Sequence, residues 1–150
     1  MHKLRIYIDT SVIGGCFDEE FAEWSNMLFD EFIAGKKIAV ISDITIGELS
    51  KAFDFIKNKI KEIPDKYIEV IHKTKEIEEL SHSYIKNNAI SKKHGDDALH
   101  IASATIAKAD VLVSWNFKHI VNLRRIQIYN SVNLMNGYSI IEIRNPREVL

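Results

Sequence analysis

At 150 residues, with 46% hydrophobic and 27% charged side chains, the chain has the composition of one ordinary globular domain, able to bury a core without disulfides or a structural metal. A single cysteine, Cys16, excludes an internal disulfide; no apolar run approaches the roughly 20 residues that span a bilayer, and no secretory leader is evident, so a cytoplasmic protein with no membrane contact is expected. The formal charge of −1 excludes bulk attraction to nucleic acid, and any such partner must be drawn by a local basic patch.

The β-branched and aromatic run Lys3-Leu4-Arg5-Ile6-Tyr7-Ile8 predicts a strand over residues 4–8, central in a sheet and ending at Asp9-Thr10-Ser11. Asp9 either starts a turn or stands at the carboxyl end of that strand, where open α/β sheets bind ligands. Gly14-Gly15 breaks the chain. Phe21, Trp24, Leu28 and Phe32, with Ser25, Phe29 and Ile33 alongside, then mark an amphipathic helix that Gly35 closes. Trp24 at helical spacing reads as core or as part of a dimer face rather than as a base-stacking platform.

Ile38-Ala39-Val40-Ile41-Ser42 is a second buried strand, and Asp43 is the expected cap of the helix after it. Glu48 lies about a turn inside that helix, as an exposed glutamate or as a group that swings back over the strand ends. Residues 51–66 alternate charge with Phe53, Phe55, Ile56 and Ile60 and are interrupted by Pro64, which suggests one or two short helices with solvated outer faces. Residues 67–71 form a third, edge strand. Ile77, Leu80, Tyr84 and Ile85 carry helical period, and a polar loop spans residues 87–94.

Asp96-Asp97 then opens a helix whose stripe of Ala98, Ile101, Ala102 and Thr105 is small enough for close approach to a neighbour. Two carboxylates at a helix cap and first turn are favoured by the free N–H groups and the dipole, which by itself accounts for the pair. A fourth strand over residues 109–114 delivers Ser114-Trp115-Asn116-Phe117 to the same sheet edge as Asp9. Helical residues are expected over 118–123, then a polar stretch with Arg124 and Arg125. A last strand covers residues 139–143, and Asn145-Pro146-Arg147 ends the fold. Strands separated by helical patterns argue an α/β fold with a parallel sheet covered on both faces, in a single domain over residues 1–150.

Asp9, Glu48, Asp97 and Asn116 each stand at the carboxyl end of a strand or in the helix that follows, and in a doubly wound sheet those places face one crevice. Carboxylates gathered there repel one another unless a cation holds them, and oxygen ligands suit Mg²⁺ or Mn²⁺. Such a site suits phosphoryl chemistry. The hydroxyls of Ser11 and Ser114 are placed to orient the carboxylates. Walker, dinucleotide-binding and zinc-spacing motifs are all absent from the sequence. Of the six histidines, His100 faces the crevice or packs beneath it, His119 could line a substrate groove, and His94 is loop-borne; none is assigned to the ligand set.

With these residues in place the chain resembles the PIN-domain family, in particular the VapC-type ribonuclease toxins and their stand-alone relatives. The matching stretches are Ile8-Asp9-Thr10-Ser11-Val12-Ile13-Gly14, Ile46-Gly47-Glu48-Leu49, Gly95-Asp96-Asp97-Ala98-Leu99-His100-Ile101-Ala102-Ser103-Ala104 and Leu112-Val113-Ser114-Trp115-Asn116-Phe117-Lys118-His119-Ile120. The resemblance covers essentially the whole chain. It implies a three-layer α/β/α fold with a parallel sheet of about five strands, Mg²⁺- or Mn²⁺-dependent endonucleolytic cleavage of RNA, an antitoxin protein as possible partner, and a homodimer. It makes Asp9, Glu48 and Asp97 the catalytic acids and metal ligands, with Asp96 a less regular neighbouring acid. Asn116 falls where many members carry a fourth Asp. A neutral amide there holds a second ion less tightly, so one ion or two, full activity or none, all remain open, and a non-catalytic scaffold binding RNA or a protein is the alternative. Lys92-Lys93, Lys118, His119 and Arg124-Arg125 are the expected phosphate contacts.

Overall fold

In the computed structural model, which describes residues 2–150, five strands run parallel in one sheet. They are β1 (Arg5–Ile8), β2 (Ile38–Ser42), β3 (Ile68–Ile71), β4 (Val111–Val113) and β5 (Ile143–Arg144), side by side in the order β3-β2-β1-β4-β5. β1 is the middle strand, with Tyr7 in register with Val40 on one side and Leu112 on the other. All five strand ends that follow a rising chain therefore open on one edge, and the order reverses at β1, where a doubly wound sheet leaves its crevice.

Seven helices cover the sheet: α1 (Thr10–Gly15), α2 (Ala22–Ile33), α3 (Asp43–Leu49), α4 (Asp54–Lys59), α5 (Lys75–Lys86), α6 (Gly95–Ile106) and α7 (Leu123–Met135). Because strand side chains alternate, the inner strands feed two cores. Ile6, Ile8, Ala39, Ile41, Val111 and Val113 pack with Val12 and Ile13 of α1 and Leu28, Phe29 and Phe32 of α2. Tyr7, Val40 and Leu112 pack on the opposite face with Leu80 and Tyr84 of α5, Ile101 and Ala102 of α6, and Tyr129 of α7. This is the three-layer α/β/α arrangement that the alternating pattern implies. Among the described residues no helix is long and apolar enough to cross a membrane. Cys16 is buried, and burial pushes its thiol up to about 12, as befits a packed residue.

Four local expectations are corrected. Gly14-Gly15 does not break the chain but ends α1, a short helix that starts directly after Asp9. The cap of α3 is Ser42, whose hydroxyl accepts the Ile44 N–H at 3.2 Å; Asp43 is instead the first helical residue and its carboxylate accepts the Lys73 N–H. Residues 118–122 are turns, and the helix begins at Leu123, because the Asn122 side chain caps it by accepting the Arg125 N–H. The last strand is only Ile143–Arg144, since the Asn130 amide takes both the N–H and the carbonyl of Ile141 and so removes that peptide from the ladder. Gly35 does close α2, at φ +74°, where an added Cβ would lie 2.4 Å from the Tyr67 ring.

Candidate active site

The crevice is built outward from Asp9, which sits at the end of β1 and is only 4% exposed. Its Oδ1 accepts the Ser11 hydroxyl and its Oδ2 the Ser114 hydroxyl, both at 2.6 Å. The serines are themselves fixed: Ser11 Oγ accepts the Trp115 N–H and Ser114 Oγ the Asn116 N–H, each at 2.9 Å. The ends of β1 and β4 are thus stitched together around one carboxylate, whose two oxygens each keep a lone pair facing elsewhere. Burial holds Asp9 above the usual carboxylate range, against the opposing pull of His100 and the two hydroxyls.

Glu48 reaches back from α3 over the strand ends. Its Oε1 accepts the Thr10 hydroxyl at 3.0 Å and the Nε2 of His100 at 2.6 Å. His100 is on α6, one turn beyond Asp97, and only 1% exposed. Its Nδ1 lies 2.7 Å from the Tyr7 hydroxyl, which in turn lies 2.6 Å from Ser42 Oγ. Burial disfavours the imidazolium, but Tyr7, Glu48 and Asp9 outweigh it and hold the ring up to about 10, so it is cationic at neutral pH. Burial likewise pushes Glu48 up, and His100 with Thr10 more than reverses that, leaving it below the usual range.

Asp97, half-buried at the start of α6, accepts the Asn116 amide N–H at 3.3 Å. Asn116 Oδ1 accepts the His119 N–H at 2.9 Å, so the amide orientation is set from both ends. Burial first, and then the charges of Asp9 and Glu48, push Asp97 above the usual range. Asp9, Glu48 and Asp97 therefore share one field although they are far apart in sequence. The countercharge already present in that field is the His100 imidazolium.

Asp96 is exposed and lies outside this hydrogen-bonded network, lining with Glu48, Lys51 and Lys73 a groove of about 700 Å³ between α3 and α6. Lys118 and Arg124 are exposed, with no contact to the acids, and the His119 ring stacks on His94 with centroids 3.8 Å apart. Burial, His94, Arg125 and Lys118 hold His119 below its ordinary value. Thr10 and Tyr7 are the site residues that the sequence pattern does not single out, and His100, expected to face the crevice or pack beneath it, does so as the partner of Glu48. The signal for His100 is its spacing of three from Asp97, which puts both on one helix face; for Tyr7 it is a hydroxyl inside a strand buried on both faces, which must find a polar partner.

As a donor set, Asp9, Glu48 and Asp97 are all oxygen and anionic, which fits a hard divalent cation in kind, whereas Asn116 turns its N–H toward Asp97 and its carbonyl toward the His119 N–H. Asp97 Oδ1 and Glu48 Oε2 carry no hydrogen bond from the protein, so coordination capacity is left. Among the described residues no group of three or more His, Cys, Asp or Glu side chains is arranged so that it could hold a metal ion.

No protein-family model matches the chain, and no curated protein matches it by sequence. Solved structures do match it. A chain in the structure of VapBC2 from Rickettsia felis bound to a DNA fragment from its promoter superposes with TM-score 0.60 and 17% identity over 95% of this chain and 98% of that one. VapC20 from Mycobacterium tuberculosis, a sarcin-ricin loop cleaving toxin, gives 0.57 and 14% over 76% and 92%. FitAcB from Neisseria gonorrhoeae gives 0.56 and 15% over 95% and 98%. The chain shares the five-stranded parallel α/β/α fold of these three structures. At these identities the likeness establishes the fold alone.

Proposed function

We propose that the chain is a metal-dependent endoribonuclease that hydrolyses RNA phosphodiester bonds, and that it serves as the toxin of a toxin–antitoxin pair, a cytoplasmic homodimer held in check by an antitoxin protein. The observation that carries this is that Asp97 feels the charges of both Asp9 and Glu48 at the carboxyl edge of the sheet, where Asp9 is linked to Asp97 through Ser114 and Asn116 and Glu48 is tied to His100. The shared fold of VapC20, a toxin that cleaves the sarcin-ricin loop, supports it.

Asp9, Glu48 and Asp97, with Asn116 and Asp96 at the margin, would hold Mg²⁺ or Mn²⁺, which when bound supplies positive charge for the phosphate and a water of lowered pKa. Ser11 and Ser114 keep Asp9 in one orientation, and His100 keeps Glu48 turned toward the strand ends. Lys118, His119 and Arg124 lie on the flank where the phosphates of a strand would run. Purified protein incubated with single-stranded RNA and Mg²⁺ or Mn²⁺ should cut it, and EDTA or Asp97→Asn should abolish cutting; cleavage undiminished in both controls would refute the proposal.

A second reading is a catalytically silent scaffold of the same fold. It is favoured by the neutral Asn116 beside Asp97 and by a cationic His100 that already offsets the acids. Calorimetric titration with Mg²⁺ and Mn²⁺ separates the two: a folded wild-type protein with no measurable ion affinity supports the scaffold.

A further inference from the structure

We propose that the aromatic cleft between the start of α2 and the end of β4 is a nucleobase seat that prefers guanine and takes one base of the bound strand beside the bond that is cut. The place of that base in a cut strand rests on the ribonuclease reading above; the affinity for the base does not.

Four aromatic side chains meet here, Phe21 and Trp24 at the start of α2 and Trp115 and Phe117 just past β4. Phe21 stacks on Trp115 with centroids 4.2 Å apart and planes 16° apart, and the Trp115 indole N–H is fixed on Ser25 Oγ at 2.9 Å. The cleft borders the acids. The Trp115 backbone N–H is bonded to Ser11, which holds Asp9, and Asn116, whose amide reaches Asp97, stands between Trp115 and Phe117 in the chain. Nor is it closed core: Phe117 is 49% exposed, and the four side chains line, with Glu20 and Arg147, a cavity of about 220 Å³, room for a single planar ring system.

Two opposite charges line this cavity without neutralising each other. Arg147 lies over the Trp24 ring, 4.5 Å from its centroid, which leaves the in-plane N–H groups of the guanidinium free. Among the described residues neither Arg147 nor Glu20 takes part in an ion pair. The surrounding charge has one sign, since residues 6–35 hold seven acids and no Lys, Arg or His. A phosphate is repelled from such a rim, so the part of a nucleotide that can enter is the uncharged base. Trp24 is covered by Arg147, and the open face for stacking is Phe117. Stacking on an aromatic ring accepts any base, so the polar rim decides between them. A carboxylate only accepts and a guanidinium only donates. Guanine carries N–H donors at N1 and N2 on one edge and acceptors at O6 and N7 on the next, so it meets both groups at once. Adenine and cytosine turn a bare ring nitrogen toward the carboxylate and an amino group toward the guanidinium.

The two tryptophans of the sequence are Trp24 and Trp115, and both line the cavity, so the intrinsic fluorescence of the full chain reads this place. Short uridine oligoribonucleotides carrying one central guanosine, adenosine or cytidine are titrated in EDTA, so that no cutting occurs, with excitation at the red edge of the indole band, where the bases absorb little. The guanosine probe should give a saturable change at concentrations at least fivefold lower than the adenosine or cytidine probe. Glu20→Gln, at an exposed position, should bring the three probes within about twofold of one another. Phe117→Ser, checked for folding by thermal melts, should weaken all three at least fivefold. No fluorescence change, equal response to the three probes in the wild type, a guanosine preference that survives Glu20→Gln, or affinities that Phe117→Ser leaves in place would each overturn the seat. If the protein cuts RNA and any of these is found, the seat is refuted while the ribonuclease reading stands. If it cuts nothing, yet the guanosine preference is present and falls with Glu20→Gln, the reverse holds.

Discussion

The Nε2 of His100 lies 2.6 Å from Glu48 Oε1 while its Nδ1 lies 2.7 Å from the Tyr7 hydroxyl, so one buried cation ties the middle strand to α3 through α6. The folded-state pKa of this ring, about 10, lies above its unfolded value of about 6.5. Its contribution to stability is therefore complete below the unfolded value and is lost as pH rises through the folded one. In metal-free buffer His100→Gln should cost ~1–3 kcal/mol near neutrality, since Tyr7 and Glu48 lose a charged partner. Urea unfolding followed from pH 6 to pH 10 checks it: the wild type should lose stability across that window and the variant should not, and parallel curves would contradict the assignment.

Asp9 is shifted in the same direction, but in its case the shift marks a cost of the ionised form. Burial raises its folded-state pKa, so the folded chain binds that proton more readily than the unfolded chain does, and stability falls as pH rises from the ordinary value to the raised one. Holding the group ionised is thus a standing cost. Asp9→Asn should melt higher than wild type in EDTA, by about 2–4 °C for each kcal/mol relieved. Added Mg²⁺ should raise the midpoint of the wild type and leave that of the variant in place. A variant that melts lower in EDTA, or that responds to Mg²⁺ as the wild type does, contradicts this account.

The parts of the fold visible in the sequence are those where local pattern and tertiary environment agree. The runs around Ile6, Val40 and Leu112 are mostly apolar because their strands are buried on both faces, and the stripe from Ala98 to Thr105 faces the core as its spacing implies. The misses occur where a side chain replaces backbone pairing. Asn130 makes the last strand start late, Asn122 starts α7 late, and Ser42 rather than Asp43 caps α3. In each case the deciding contact is one or two hydrogen bonds of a small polar residue, and periodicity carries no trace of them. At the site, the acids could be placed at the sheet edge from strand ends alone. His100 could not be weighted against five other histidines until its partners, contributed by β1 and α3, were in view.

The adjacent glycines of α1 offer an internal comparison. A Cβ on Gly15 would lie 2.6 Å from Ser25 Oγ and 2.8 Å from Trp115 Nε1, the two atoms that are hydrogen-bonded to each other at 2.9 Å. Gly14 has nothing within 4 Å. Gly15→Ala should destabilise by ~1–3 kcal/mol, because an overpacked methyl must separate α1 from α2 or break the Trp115 bond. Gly14→Ala should be neutral or slightly stabilising, by up to ~1 kcal/mol, since alanine is the better helix former. Chemical denaturation of the two variants decides it, and equal midpoints would mean that α1 does not depend on this close approach.

Asn116→Asp tests whether the neutral amide is what limits the charge of the crevice. An aspartate there keeps the acceptor for the His119 N–H but loses the N–H given to Asp97, and it adds a like charge where Asp97 already feels Asp9 and Glu48. The metal-free protein should lose stability, by ~1 kcal/mol or more, and its affinity for Mg²⁺ should rise roughly tenfold, about 1.4 kcal/mol. The two effects have one origin, since the repulsion that loosens the empty site is what a divalent ion relieves. Thermal melts in EDTA and calorimetric Mg²⁺ titration of the same preparations measure them side by side. A variant that binds the ion no more tightly, yet melts lower in its absence, would show that Asn116 shapes the crevice without facing the ion.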